Sequence, residues 1–393
     1  MIKHFLHIVF WGHFALVLLL SCKPQQHQHE NKTIYIPLTD KKILSVNDIF
    51  KEIKYIPLET NNFSLLTSIT SQNFSKLILK DGYIYTQELD RPLFIFDENG
   101  RWIRTIERRG QGPEEYLNFS SFDVNNNREI AVVDGMRKKI LFYSWEGEFL
   151  AISSYHGDQQ TPRSVTYFND SLLIIHTPPG HSNGYKFHIL NRNTLDFVRS
   201  YWPTYSRQYF VSRASNPVVD YQGKQIFHEP QNPCIYELTA DSAILRYSID
   251  VGGKMPPENF WDIKDMSWNE IVETNIWAHQ TQEHKEKGYI DHIMFFSEAP
   301  ETILLQFSGS KDVFDGTFAL INKESRSSIL IDKIAFDSHF VWKPSKMFSR
   351  FDGIVIIPIP VHILLESGEG EIRKMFPNLL EDDNPILCIA KLR

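Results

Sequence analysis

Two stretches of this chain repeat one another, and the repeat limits the fold more than any other feature. "KLILKDGYIYTQ" followed by "RPLFIFDENGRWIRTIE" has the same layout as "FSSFDVNNNREIAVVD" followed by "KKILFYSWEGEFLAIS". Each half is two short apolar or alternating runs joined by a turn containing Gly or Asn, the pattern of a hairpin. Ile84 and Ile130 fall in matching places, 46 residues apart (130 minus 84), and Gly100 and Gly147 match at 47 (147 minus 100). Four strands per unit at a period of ~40–50 residues is the pattern of β-propeller blades.

Later units are less regular but can be counted. "SVTYFNDSLLIIH" with "KFHILNRNTLDFVRSY" forms a third, "YQGKQIFHE" with "CIYELTADSAILRYSI" a fourth, and "HIMFFSEAPETILLQF" with "TFALINKESRSSILI" a fifth. "AFDSHFVWK" and "FDGIVIIPIP" open a sixth, with "NPILCIAKL" as its next strand. That unit lacks one strand, which an N-terminal segment, "TIYIPL" or "IKYIPLE", is expected to supply; a ring closed by both chain ends leaves fewer open edges. Between the first two units lies "ERRGQGPEEY". Gly110 and Gly112 there allow positive φ or close backbone approach, Pro113 sets φ for the crossover, and Tyr116 and Phe119 re-enter the core. The expected fold is all-β, a six-bladed propeller over residues 33 to 393. Short helical insertions at 255 to 289 and 361 to 380 are expected to decorate one rim, where binding usually sits.

Residues 1 to 21 read as an export signal: Lys3, a mostly apolar run from 5 to 20, then Leu19-Leu20-Ser21-Cys22. A membrane span needs ~20 apolar residues, and this run is shorter and carries His7 and His13. The Leu-Leu-Ser-Cys ending resembles the bacterial lipobox, which implies lipidation at Cys22. Residues 22 to 32, "CKPQQHQHENK", then form the lipidated end and a flexible tether. Of the other cysteines, Cys234 and Cys388 lie in apolar strand-like runs and are expected to be buried and free, although an exported protein could bridge them.

"YIPLET", "FDENGRWIRTIERRGQGPEEY" and "DDNPILCIAKL" resemble the six-bladed β-propeller lipoproteins of Bacteroidetes, and "GQGPEEYLNF" is similar to the NHL-type repeat. The resemblance implies a propeller exported to the cell envelope and held there by lipid. It carries over no catalytic residues.

The remaining chemistry is sparse. A net charge of -7 without a basic block excludes nucleic acid as a partner. His279 and His284 are five apart, which does not place both on one helix face as a zinc pair requires, and no cofactor or metal site is expected. "DVNNNREIAVVD" spaces Asp123, Asn125, Asn127 and Asp134 like a calcium loop, but Arg128 stands where Gly is needed, so an Asn-rich turn is expected. No Gly-x-Ser-x-Gly and no P-loop occurs. Glu88, Asp134, Glu229 and Asp352, near strand ends, are the acids that a channel-centred metal-dependent hydrolase or lyase could use, but composition alone selects them. Aromatic residues are the better lead. Tyr201, Trp202 and Tyr205 cluster in "RSYWPTYSRQYF", and Trp261, Trp268 and Trp277 lie in the first insertion. Flat rings pack on sugars and anchor proteins; they also fill gaps between blades. The reading is a binding module for a carbohydrate or an envelope protein, using the 201 to 209 loop and the 255 to 289 insertion. An enzyme, or a sensor or scaffold domain, stands as the alternative.

Overall fold

The structure is a computed structural model. It describes residues 32–66, 76–88, 91–155, 161–177, 184–204, 207–208, 217–229, 232–257, 260–263, 266–309 and 316–393. Six antiparallel sheets follow one another round a ring, each with its first strand innermost. The first blade is Lys76–Lys80, Tyr83–Gln87, Leu93–Asp97 and Trp102–Ile106. The second is Phe119–Val124, Ile130–Asp134, Lys139–Tyr143 and Phe149–Ser154, and the third Ser164–Tyr167, Leu172–His176, Gly184–Asn191 and Phe197–Thr204. The fourth runs Val218–Tyr221, Lys224–His228, Cys234–Leu238 and Ala243–Val251, and the fifth Ile290–Glu298, Thr302–Gly309, Phe318–Asn322 and Ser328–Ala335. The sixth orders Phe348–Ser349, Ile354–Ile359, Ile386–Leu392 and, outermost, Phe50–Pro57.

Inner strands have neighbours on both faces and lose their alternation: Ile130–Asp134 is buried at every position, whereas the outer Phe149–Ser154 is mixed. The apolar core divides into six clusters, one between each pair of adjacent blades. The cluster of Ile84, Phe94, Phe96, Phe348, Ile356 and Leu387 joins the first blade to the sixth and closes the ring.

The two N-terminal candidates for closure take different places. "IKYIPLE" supplies the outer strand of the sixth blade, Phe50–Pro57 against Ile386–Leu392. "TIYIPL" instead adds a parallel strand, Thr33–Ile36, to the rim of the fourth blade, and Lys42–Ser45 does the same on the fifth. The chain then passes onto the first blade, where Glu59 accepts from Trp102 N–H and Phe63 stacks on Trp102. Residues 33 to 66 thus form a belt over the edges of four blades. "AFDSHFVWK" is also displaced: Val341–Trp342 pairs with the outer strand of the fifth blade, and the sixth begins at Phe348. Its Pro344 and short extended runs suit a rim rather than an inner strand.

The crossover "ERRGQGPEEY" behaves as expected at Tyr116 and Phe119, both buried. Its glycines are needed for close approach rather than positive φ: Gly112 N–H donates to Glu115 Oε2 at 2.7 Å, and a Cβ on Gly110 would overlap the Glu115 carboxylate. Cys234 and Cys388 are buried and are not joined by a disulfide.

Candidate functional site

In a four-stranded antiparallel blade whose first strand is innermost, the turns after strands one and three lie at one end of the ring. The connection between strands two and three, and the crossover to the next blade, lie at the other. The helices Trp268–Thr274 and Ile276–Lys287 lie in the fourth-to-fifth crossover. Val361–Glu366 and Glu371–Met375 lie between strands two and three of the sixth blade. Both insertions therefore occupy the crossover end.

Near the turn end the channel is sealed. Asp220 of the fourth blade and Phe351 of the sixth form a parallel backbone bridge: Asp220 N–H donates to Arg350 O at 2.7 Å, and Asp352 N–H to Asp220 O at 2.9 Å. Arg350 reaches across to Asp123 of the second blade at 3.1 Å and to Gln225 Oε1 at 3.3 Å; Asp123 also accepts from Tyr167 N–H at 2.8 Å. Lys76 donates to the Phe122 carbonyl and, at 3.5 Å, to that of Val165. Burial alone would raise the Asp123 carboxyl, but the charges of Arg350 and Lys76 and its hydrogen bonds hold it below the ordinary range. Burial brings Lys76 down to about 8, against the pull of Asp123. Five blades are tied together here by groups that already have partners.

The crossover end differs. Lys186 and Glu229 form a buried ion pair at 2.8 Å between the third and fourth blades, with Lys186 Nζ 4.4 Å from the Trp202 ring centroid. Around the same end, Ser164 Oγ, His176 Nε2, Glu229 Oε1 and Lys346 Nζ are buried with no hydrogen-bond partner in the protein. Buried polar atoms are nearly always satisfied, so such a set marks a place for another molecule, water included. His176 sits opposite Ser164 in register and packs edge-on to Phe227 of the next blade. Burial first, then the Lys186 charge, brings its imidazole to about 3, and burial brings His228 to about 4, so both are neutral. Burial also lowers Lys346 to about 8.

The sequence-chosen aromatics divide. Tyr201 is buried and stacked on Phe187 at 5.3 Å; Trp202, half-buried at φ +60°, packs on Tyr236 at 4.5 Å. Both fill the seam between the third and fourth blades. Trp261 is buried at the base of the first insertion against Phe260 and His284. The backbone does bring the two regions together, because Arg207–Gln208 pairs antiparallel with Asp262–Ile263. Trp268 opens one helix and Trp277 lies in the next, but their side chains fall outside the described set, and so do Tyr205 and Cys22 entirely.

The acids Glu88, Asp134, Glu229 and Asp352 do not converge. The first three end or follow second strands at the crossover end, while Asp352 lies in the opposite turn and accepts from Gln222 N–H at 2.7 Å. Asn125 Oδ1 caps its own hairpin, accepting from Asn127 and Glu129 N–H at 2.9 Å, with Arg128 at φ +60°. Among the described residues no cluster of three or more His, Cys, Asp or Glu is arranged to hold a metal ion, and no helix is long and apolar enough to cross a membrane. Lys186, His228 and Lys346 were not singled out from the sequence, and His176 beside "TPPG" reads there as an ordinary histidine. For Lys186 and His228 the signal was a charged or polar residue within an apolar strand, as in "GYKFHIL" and "KQIFHE".

A putative exported protein of Bacteroides fragilis has a similar structure, with a TM-score of 0.71 at 15% identity over 92% of this chain and 99% of that one. A DUF4221-family member of Bacteroides vulgatus matches with a TM-score of 0.50 at 10% identity, covering 88% and 98%. At such identities the likeness is one of fold. No curated protein matches the sequence. The model of a domain of unknown function, DUF4934, matches residues 32–391, and this chain, a six-bladed ring over that same span, belongs to that family.

Proposed function

We propose that this protein is an exported, envelope-anchored propeller that binds a carbohydrate at its crossover end. The carrying observation is that buried polar atoms without hydrogen-bond partners recur at the crossover end, where the Lys186–Glu229 pair lies beside Trp202. An ammonium and a hydroxyl donate, Glu229 Oε1 accepts, and neutral imidazoles do either, a mixture that suits sugar hydroxyls. The aromatic lead from the sequence enters through Trp202 and the joined 201 to 209 and 255 to 289 segments. Export draws support from the signal-like N-terminus and from the putative exported protein of Bacteroides fragilis with a similar fold, and lipidation at Cys22 from the Leu-Leu-Ser-Cys ending. A channel-centred enzyme has less support, because the axial carboxylate Asp123 is committed to Arg350 and Tyr167.

Glycan-array screening and calorimetry on residues 33 to 393 test the reading. The expected result is binding of a neutral glycan that Lys186→Met and His176→Phe each weaken about tenfold or more. No glycan binding, together with cross-linking to an envelope protein, would replace the carbohydrate with a protein partner. For the anchor, Cys22→Ala is expected to move the protein from the membrane to the soluble fraction.

A further inference from the structure

A second polar cluster lies at the turn end, in the groove between the first and second blades. Trp145, in the turn after the third strand of the second blade, reaches back toward the first. The Arg104 guanidinium carbon lies 4.0 Å from its ring centroid. Arg128, in the neighbouring hairpin turn, lies 4.8 Å from the Tyr83 centroid and 5.8 Å from that of Trp145, and the two rings meet edge to face at 5.2 Å. All four side chains are partly exposed, so the groove is open to solvent.

Its chemistry is one-sided. Arg104 Nε is buried without a hydrogen-bond partner, and the Tyr85 hydroxyl lies beside the Trp145 indole N–H. No carboxylate forms a salt bridge with Arg104 or Arg128 among the described residues. Exposed Glu146 feels both charges without pairing to either. Two other partly buried arginines are paired with carboxylates, Arg192 with Glu129 and Arg246 with Glu298. Arg128 also holds φ +60°, a left-handed backbone that glycine adopts more readily. Two guanidiniums braced on aromatic faces, with no carboxylate paired to either, call for a planar acceptor of negative charge.

We propose that this groove binds the carboxylate of an acidic ligand, either a uronic-acid sugar or an acidic peptide side chain. It lies at the opposite end of the ring from the site above and does not depend on it. The test is calorimetry on residues 33 to 393 with glucuronate, a short glutamate peptide, inorganic phosphate and glucose. At least one carboxylate probe is expected to bind, more weakly as salt rises, and glucose is expected not to bind in this groove. Arg128→Gly and Arg104→Gln should each weaken carboxylate binding about tenfold or more. Because glycine suits the φ at 128, Arg128→Gly should keep the melting temperature, which separates lost binding from lost folding. The preference between glucuronate and peptide identifies the source. The assignment is overturned if neither carboxylate binds, if both arginine variants bind like the parent, or if phosphate binds more tightly than both.

Discussion

Arg350 and Asp123 are 227 residues apart in sequence and meet at 3.1 Å on the propeller axis. The contact spans the channel from the sixth blade to the second, so it can exist only once the ring has closed. Both side chains are almost fully removed from water, and each is therefore held by the other.

Removing one partner leaves a buried charge uncompensated, which costs about 3–5 kcal/mol. Arg350→Met and Asp123→Asn should each lower the urea midpoint markedly. The double variant Asp123→Asn/Arg350→Met should be less destabilised than the sum of the two, because neither charge is then stranded. Additive losses in this double-mutant cycle would show that the pair is not coupled.

Acid sensitivity should begin above the carboxylate range. An imidazole ordinarily titrates near 6.5, but burial keeps His176 at about 3 and His228 at about 4. As pH falls through ~6.5 the unfolded chain takes up protons that the folded chain refuses, so the stabilisation present above that pH is lost progressively down to about 4. Denaturant midpoints should drop between about pH 7.5 and 5 in the parent and drop less in His176→Phe/His228→Leu. His188, which burial likewise lowers to about 4, remains in the variant and leaves part of the slope.

Lys346 offers a direct trade between stability and use. Its Nζ is buried, unpartnered, and 5.4 Å from the Phe348 ring centroid. Lys346→Met keeps most of the volume and removes the desolvated amine, so thermal unfolding should move up by a few degrees, corresponding to about 1–3 kcal/mol. If the crossover end is the binding site, the same variant should bind its ligand less well. A lowered melting temperature would contradict the account.

The N-terminal belt should matter beyond its length. Starting the chain after Ser45 removes the parallel strands from the fourth and fifth blades and exposes cluster residues that Ile34 and Ile36 cover. The expected result is a drop of about 10 °C in melting temperature, with more aggregation by light scattering. Starting after Pro57 also removes the outer strand of the sixth blade and should abolish cooperative unfolding.

Gly100 is a single-residue check on ring closure. At φ +83°, a Cβ there would overlap the Pro57 carbonyl and lie 2.9 Å from Ile56 Cγ2, both on the strand that closes the sixth blade. Gly100→Ala should cost more than Gly223→Ala, whose site has positive φ but nothing within 4 Å. Thermal unfolding of both variants measures the difference.

Strand count, blade period and the buried ends of the crossover could be read from "LFIFDENGRWIRTI" and its repeat, because alternation and turn residues are local signals. The identity of the closing strand could not. "TIYIPL" and "IKYIPLE" have the same pattern, and the choice between them rests on which rim each meets after the ring has formed. Similarly, "DVNNNRE" shows an Asn-rich turn on its own, but not that Asp123 at its start faces Arg350 or that Arg128 stands beside Trp145.

The sequence by itself determined an all-β ring of six repeats, since backbone geometry sets the strand period and the turn residues mark each reversal. The tertiary structure alone decided which polar side chains stand together. Their meetings join residues tens to hundreds of positions apart, and only the packing of blade on blade separates a satisfied ion pair such as Arg350–Asp123 from an atom such as Lys346 Nζ that has no partner.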